Sequence, residues 1–241
     1  MREVIVVSGL SKSYGSVRAV RDVSLSVSAG SAFGLLGPNG SGKSTVAECI
    51  VGTKRPDSGK VEVLQMDPRR DRRKLFRRCG VQFQDCEYQP EIKVSELCEE
   101  FACLYDRPAD WRALCARLGI GDKADSAVRA LSGGQRQRLF IALSLLPNPE
   151  VVFLDELTTG LDPAMRRSIW KVLNELKAGG MTLFIVSHFM DEVEAICDEI
   201  CILSKGRIVF RGSPEKAKAT AGKDNLEEAY LALSGEMGGL R

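Results

Sequence analysis

The sequence predicts an α/β protein built on a wound, mostly parallel sheet around a phosphate-binding loop. Three observations predict it. The short unbroken apolar runs VVFL (151–154) and TLFIV (182–186) read as strands buried on both faces. Helical patterns separate them, as in alternating β and α units. A third run, AFGLL from Ala32, leads into the glycine-rich turn GPNGSGKS (37–44) and then into the helical string KSTVAECIVG.

The remaining elements follow in chain order. Val23, Leu25 and Val27 alternate with Ser24, Ser26 and Ser28, the pattern of a half-buried antiparallel strand. Residues 90–130 change period: Leu97, Phe101 and Leu104, then Leu114 and Leu118, recur at helical spacing and mark a helical insertion. CGVQFQ (79–84) reads as a strand ahead of it. After the single histidine, His188, come a short helix, strands at CILS (201–204) and RIVF (207–210) joined by a Lys205-Gly206 turn, and two helical segments. The glycine-rich end SGEMGGLR is expected to fray. No motif occurs twice.

Composition narrows the function classes. With 241 residues, 44% apolar and 27% charged, the chain can bury one large core and is not disordered overall. The net charge of +2 gives no general attraction to nucleic acid or membrane. One histidine excludes a histidine-built metal centre. None of the eight cysteines forms a CxxC pair, and most lie in apolar patterns as small hydrophobes, so reduced thiols in the cytosol are expected. The N-terminus lacks a signal-peptide pattern, and the longest apolar stretches fall far short of the ~18–20 residues a bilayer span needs.

Gly37–Ser44 fills every required position of the phosphate-loop pattern G-x-x-x-x-G-K-[ST]. Its glycines let backbone N–H groups turn toward phosphate oxygens, Lys43 reaches the β- and γ-phosphates, and the Ser44 hydroxyl can ligate Mg²⁺. Asp155 and Glu156 follow the apolar run 151–154, at the strand end where wound sheets bind ligands. Asp155 suits Mg²⁺, usually through water, and Glu156 is the candidate base that orients the attacking water.

The string LSGGQRQRL (131–139) puts Ser132, Gly133 and Gly134 at the start of a helix, where a hydroxyl and open N–H groups can receive an anion. Together with the two preceding elements it resembles the signature of the ATP-binding cassette (ABC) ATPases. That resemblance implies an ABC-type nucleotide-binding domain: an ATP-binding core with an antiparallel β subdomain (1–89 and 131–214), a helical insertion (90–130) and C-terminal helices (215–241). It implies ATP and Mg²⁺ as ligands, and nucleotide contacts along Gly37, Pro38, Asn39, Gly40, Ser41, Gly42, Lys43, Ser44 and Thr45. Ser132, Gly133, Gly134 and Gln135 would meet the γ-phosphate held by a second subunit. Tyr14 matches the aromatic that stacks on adenine. Gln84 matches the glutamine that contacts metal and water, with Gln82 a less favoured alternative. Asp162, in TTGLD, belongs to the loop that touches the partner, and His188 to the γ-phosphate contact. The family usually carries proline after the catalytic glutamate; Leu157 stands here, and a local backbone difference is expected, not loss of activity.

A head-to-tail pair of cassettes is implied, identical or related, with a separate transmembrane permease as partner and a position on the inner face of the cell membrane. ELTTGLDP, the string 187–214 and NLEEAYLALSG (225–235) resemble the exporter branch. The alternative is a soluble ABC ATPase acting on nucleic acid or ribosomes; no nucleic-acid partner is expected, because tandem cassettes, a long coiled coil and zinc-binding cysteine pairs are missing. RRDRRKLFRR (69–78) holds seven of the 34 basic residues and one of the 32 acids, leaving the rest of the chain at −4. It is either a solvated helix face or a contact for acidic headgroups or the permease.

Overall fold

A computed structural model describes residues 2–82, 88–89, 91–158 and 160–235. Two sheets organise it. In the first, β1 (Glu3–Tyr14) lies between β2 (Val17–Ser28) and β4 (Ser58–Val63), all antiparallel. The alternation in β2 turns Val23, Leu25 and Val27 inward against Ile5, Val7 and Leu10 of β1. The register pairs Val7 with Leu25 and Leu10 with Val23, so a shift falls between them, at Gly9 with its left-handed φ of 62°.

The second sheet has six strands. Its first members in the chain are β3 (Ala32–Leu36), which ends at the phosphate loop ahead of helix α1 (Lys43–Val51), and β5 (Cys79–Gln82), preceded by the one-turn helix α2 (Arg72–Leu75). After the helical segment α3 (Val94–Ala102) and α4 (Trp111–Arg117) come α5 (Gly133–Leu145), β6 (Val151–Asp155), α6 (Pro163–Ala178) and β7 (Thr182–Val186). Helix α7 (Met190–Ile196), strands β8 (Glu199–Ser204) and β9 (Arg207–Gly212), and helices α8 (Pro214–Ala221) and α9 (Leu226–Ser234) complete the chain. The strand order is β5-β6-β7-β3-β8-β9, parallel throughout except for β9 at the edge. Every residue of β3 and β7 is buried, which explains why these strands are continuous apolar runs.

The six-stranded sheet separates two cores. On one face Phe184 stacks on Phe33 at 5.6 Å between ring centroids and tilts against Phe153 at 5.5 Å, and the three pack with α1 and the antiparallel sheet. On the other, Leu36, Leu154 and Ile185 meet α5, α6 and α7. Helix α5 extends this second core outward to Trp111, Cys115 and Leu118 of the helical segment. The buried Arg138 guanidinium reinforces the join, donating to the carbonyls of Gly134, Leu118 and Gly119.

The basic stretch is spent partly on local structure. Arg77 and Arg78 pair with Asp106 and Glu150, and Arg72 lies over the Phe76 ring at 5.2 Å. The seven described cysteines are all free; burial pushes the thiols of Cys49 and Cys79 up to about 11 and about 12, where they are unreactive. No helix among the described residues is long and apolar enough to cross a membrane.

Candidate functional site

The carboxyl ends of β3, β6 and β7 are neighbours in the sheet, so three loops open on one edge. Gly37 leaves β3 at φ 152°, and an added Cβ there would collide with the Leu203 carbonyl and Ser41 Oγ. Gly42, at φ 106°, lies against the Ala19 carbonyl and is the residue before α1. Only glycine fits either position, which is the physical reason the loop has its spacing. Lys43 Nζ folds back on the loop and donates to the Gly37 carbonyl at 2.6 Å and the Pro38 carbonyl at 3.1 Å. Ser41 is buried in the loop's inner wall, its carbonyl accepting from Gly206 N at 3.0 Å.

A cavity of about 790 Å³ opens over this loop. Its floor is formed by Gly37, Pro38, Asn39, Gly40 and Gly42, with Lys43, Ser44 and Thr45 at the start of α1. Asp155, Glu156 and His188 line a second wall, and Tyr14 stands at the rim, 45% exposed. Lys12 Nζ sits 5.6 Å from the Tyr14 ring centroid. Twelve residues from four separate stretches of the chain thus share one polar cavity with a flat aromatic at its edge.

The second wall is electrostatically tense. Burial, with the neighbouring Glu156 charge adding to it, pushes the Asp155 carboxyl up from 3.8 to about 6, while Lys43 pulls the other way. Its raised value means that the folded chain holds this proton to higher pH than the unfolded one. The corresponding stability is present below the ordinary carboxylate range and is lost as pH rises toward 6. Asp155→Asn is therefore expected to melt about 3 °C higher than the parent at pH 7.5 without nucleotide, a gap that narrows by about half at pH 5. Scanning fluorimetry at the two pH values checks it; an equal or lower midpoint for the variant at pH 7.5 contradicts it.

Glu156 has a left-handed backbone (φ 50°), and its N–H donates to the Val186 carbonyl at 2.9 Å across the strand ends. A non-glycine residue in this region is strained, and strain of this kind collects at working sites. The geometry brings Glu156 Oε1 to 3.6 Å from His188 Nδ1. Leu157 is fully buried directly behind, where it packs into the second core.

Not every candidate reaches the cavity. Ser132 caps α5 in a reciprocal box, its Oγ accepting from Gln135 N at 3.2 Å while Gln135 Oε1 accepts from Ser132 N at 2.9 Å. Gly133 faces open space, and Gly134 is pressed against Leu161 and Met165, where a Cβ would come within 2.9 Å of a leucine methyl. Asp162 caps α6, accepting from Ala164 N and Met165 N at 2.9 and 3.0 Å. None of these five residues lines the cavity. Gln84 lies outside the described residues, while Gln82 is buried at the end of β5.

Three cavity residues escape sequence reasoning. Ala19 and Val186 contribute little chemistry, but Tyr230, on α9, brings a phenol to the loop from almost two hundred residues away. Its nearest signal was the aromatic inside NLEEAYLALSG, which periodicity alone assigns to packing.

Comparison with known proteins gives a concordant picture. Residues 20–159 match the family model described as ABC transporter. The chain is 39% identical over 218 residues to the Nod factor export ATP-binding protein I of Ralstonia nicotianae, spanning 88% of this chain and 68% of that protein. It is 35% identical over 239 residues to the daunorubicin resistance ATP-binding protein DrrA3 of Streptomyces coeruleorubidus, 97% and 75% of the two chains. In fold it resembles a solved ATP-binding subunit of an ABC transporter, with a TM-score of 0.87 at 24% identity over 96% of this chain and 99% of the other.

Proposed function

The chain belongs to the ABC transporter ATPases, and from that premise we propose that it is the ATP-hydrolysing motor of a multi-chain exporter. The observation that carries the reading is the single cavity in which the phosphate loop meets Asp155, Glu156 and His188. The loop's N–H groups and the N-terminal end of α1 receive the phosphates. Lys43 exchanges its two loop carbonyls for the β- and γ-phosphate oxygens, and Tyr14 offers its face to adenine. Glu156 orients and deprotonates the attacking water, and His188, within reach of Glu156, binds the γ-phosphate.

The donor set fits Mg²⁺. A serine hydroxyl (Ser44) and a carboxylate (Asp155) share the cavity, hard oxygen ligands of the kind this ion takes, and the crowded Asp155–Glu156 pair favours a cation beside it. Bound there, Mg²⁺ would supply charge neutralisation on the phosphate oxygens. Gln84 belongs to the same proposed set on sequence alone.

The cavity holds no anion donors from Ser132 or Gly133, so the site is completed by a second cassette facing it. The two helix N-termini would then clasp one γ-phosphate from opposite sides. A permease is the remaining partner. The surface that suits it is an apolar groove of about 310 Å³ between β5 and the helical segment, walled by Phe76, Tyr88, Phe101, Tyr105 and Phe140. Phe101 and Leu104 are exposed beside it, 38% and 66%. Export is the direction that the two named relatives support, and both favour transport over action on nucleic acid. Such a motor sits on the inner face of the membrane through its permease.

The test is co-purification from detergent extract. The parent chain is expected to bring down a polytopic membrane protein, and Phe101→Asp combined with Leu104→Asp to lose at least about 90% of it. Retention of the membrane protein by the double variant rules out this groove, and the absence of any such protein with the parent rules out the motor reading.

A further inference from the structure

Behind the Glu156–His188 edge lies a polar cluster that hydrolysis as described does not use. Glu192, on α7, is 0% exposed, a rare position for a carboxylate unless it has partners. The side-chain donors of Ser187, Thr158 and Trp170 surround it, and Arg166 supplies positive charge nearby. They come from separate pieces of chain: Thr158 from the loop after β6, Arg166 and Trp170 from α6, and Ser187 from the end of β7. Thr158 Oγ1, Trp170 Nε1, Arg166 Nε and both Glu192 oxygens are sealed from solvent, yet none makes a hydrogen bond of good geometry. The donors gather round one acceptor without being aligned on it. In a low-dielectric interior such a cluster gains much from a small rearrangement that aligns it.

Two of the donors are tied to the reacting edge. Thr158 follows Glu156 by two residues, and Ser187 immediately precedes His188. Ser187 Oγ accepts from Phe189 N at 3.0 Å, which turns its own proton toward another acceptor. Arg166 reaches the same turn: Nη1 binds Asp191 at 2.8 Å, and the guanidinium lies 4.1 Å over Phe189, whose ring is 4.1 Å from that of His188.

We propose that Glu192 is a positioning residue for hydrolysis, whose buried carboxyl is the common acceptor pinning the Thr158 loop and the Ser187–His188 turn to α6, and so sets the 3.6 Å spacing of Glu156 and His188. The Thr158 loop runs on to Asp162 at the cap of α6, on the stretch proposed to face the second cassette. Movement of that loop on cassette contact is thereby carried to Glu156 and His188. The inference rests on the hydrolytic roles proposed for Glu156 and His188.

Steady-state kinetics of the full chain test it, with Glu156→Gln as control. Glu192→Ala is expected to lower kcat about 30-fold with KM for ATP within about 3-fold, because misplacement of a reacting group by ~1 Å costs on the order of 100-fold. Glu192→Gln, which keeps the shape and an acceptor oxygen, is expected to recover kcat to within about 3-fold of the parent. Thr158→Val lowers kcat several-fold alone and adds little to Glu192→Ala, as members of one network do. A normal kcat in Glu192→Ala overturns the proposal. So does a loss in which KM and melting point move with kcat and Gln gives no recovery. Should Glu192→Ala not fold, Thr158→Val decides: lowered kcat at unchanged KM supports the proposal and unchanged kcat overturns it. If Glu156→Gln itself turns over normally, the hydrolytic reading fails first; if Glu156→Gln is dead and Glu192→Ala is normal, only the positioning role falls.

Discussion

Glu156→Gln is expected to lower ATP turnover by about 10²–10³-fold while leaving ATP affinity within a few-fold of the parent, the range for loss of a positioned base. The amide keeps the shape of the side chain and its strained left-handed backbone at φ 50°, so the cavity is preserved. It cannot take a proton from water. It also removes the negative charge that helps raise the Asp155 carboxyl to about 6, so Asp155 ionises more readily and binding of the nucleotide with its metal ion is not weakened. ATP bound between two cassettes would then persist, and size-exclusion chromatography with ATP should display a dimer that the parent forms only transiently. Unchanged turnover would remove Glu156 from the base role, and a monomer at saturating ATP would count against the facing-cassette arrangement.

The second large effect uses the separation of Ser132–Gly134 from the cavity. Gly133→Asp places a carboxylate where an added side chain meets open space, so the fold is undisturbed, yet it sets a negative charge toward the partner's γ-phosphate. Lys43→Ala damages the loop half of the site, where the amino group is otherwise held by Gly37 and Pro38. Each variant alone spoils both composite sites of a symmetric pair and is expected to lose turnover by about 10²-fold or more. Mixed together, they form some pairs in which both lesions fall in one site and the other site is intact. Activity should therefore reappear on mixing two inactive proteins, reaching roughly a quarter of the parent if one site can work alone and pairing is random. No recovery would mean either that a single chain completes its own site or that the two sites cannot fire separately; a crosslink between Gly133→Cys and a cysteine on the partner's loop distinguishes them.

Much of this was readable from residues because the chemistry is local. GPNGSGKS predicts its own loop through glycines that no other residue can replace, and the buried runs 151–154 and 182–186 announce parallel strands by lacking a polar side. The acids at 155 and 156 are legible because a strand end is where such a sheet exposes side chains. Distance in the chain hides the rest. Tyr230 reaches the cavity only because α9 packs back beside β8, with Ser204 Oγ donating to the Ser234 carbonyl at 3.0 Å. Glu192 sits in MDEVEAI between two other acidic residues, Asp191 and Glu194, where helical charge patterning predicts a wet face; burial beneath Thr158 and Trp170 depends on how α6 and α7 meet. The register shift between Val7 and Leu10 is likewise invisible, since both are equally apolar and only pairing with β2 separates them.

Helix α5 has thirteen residues and so spans about 20 Å. Its first turn carries Ser132 to Gln135, and its last two turns supply Phe140, Leu143 and Ser144 to the wall of the apolar groove. Arg138 clamps the middle to the carbonyls of Leu118 and Gly119. A hydrogen-bonded rod held in this way does not bend easily under a sideways load. A push applied at the groove must reappear as a tilt at the far end. The helix is a mechanical strut, and a load on one surface of the molecule can be felt across it without any small molecule passing between.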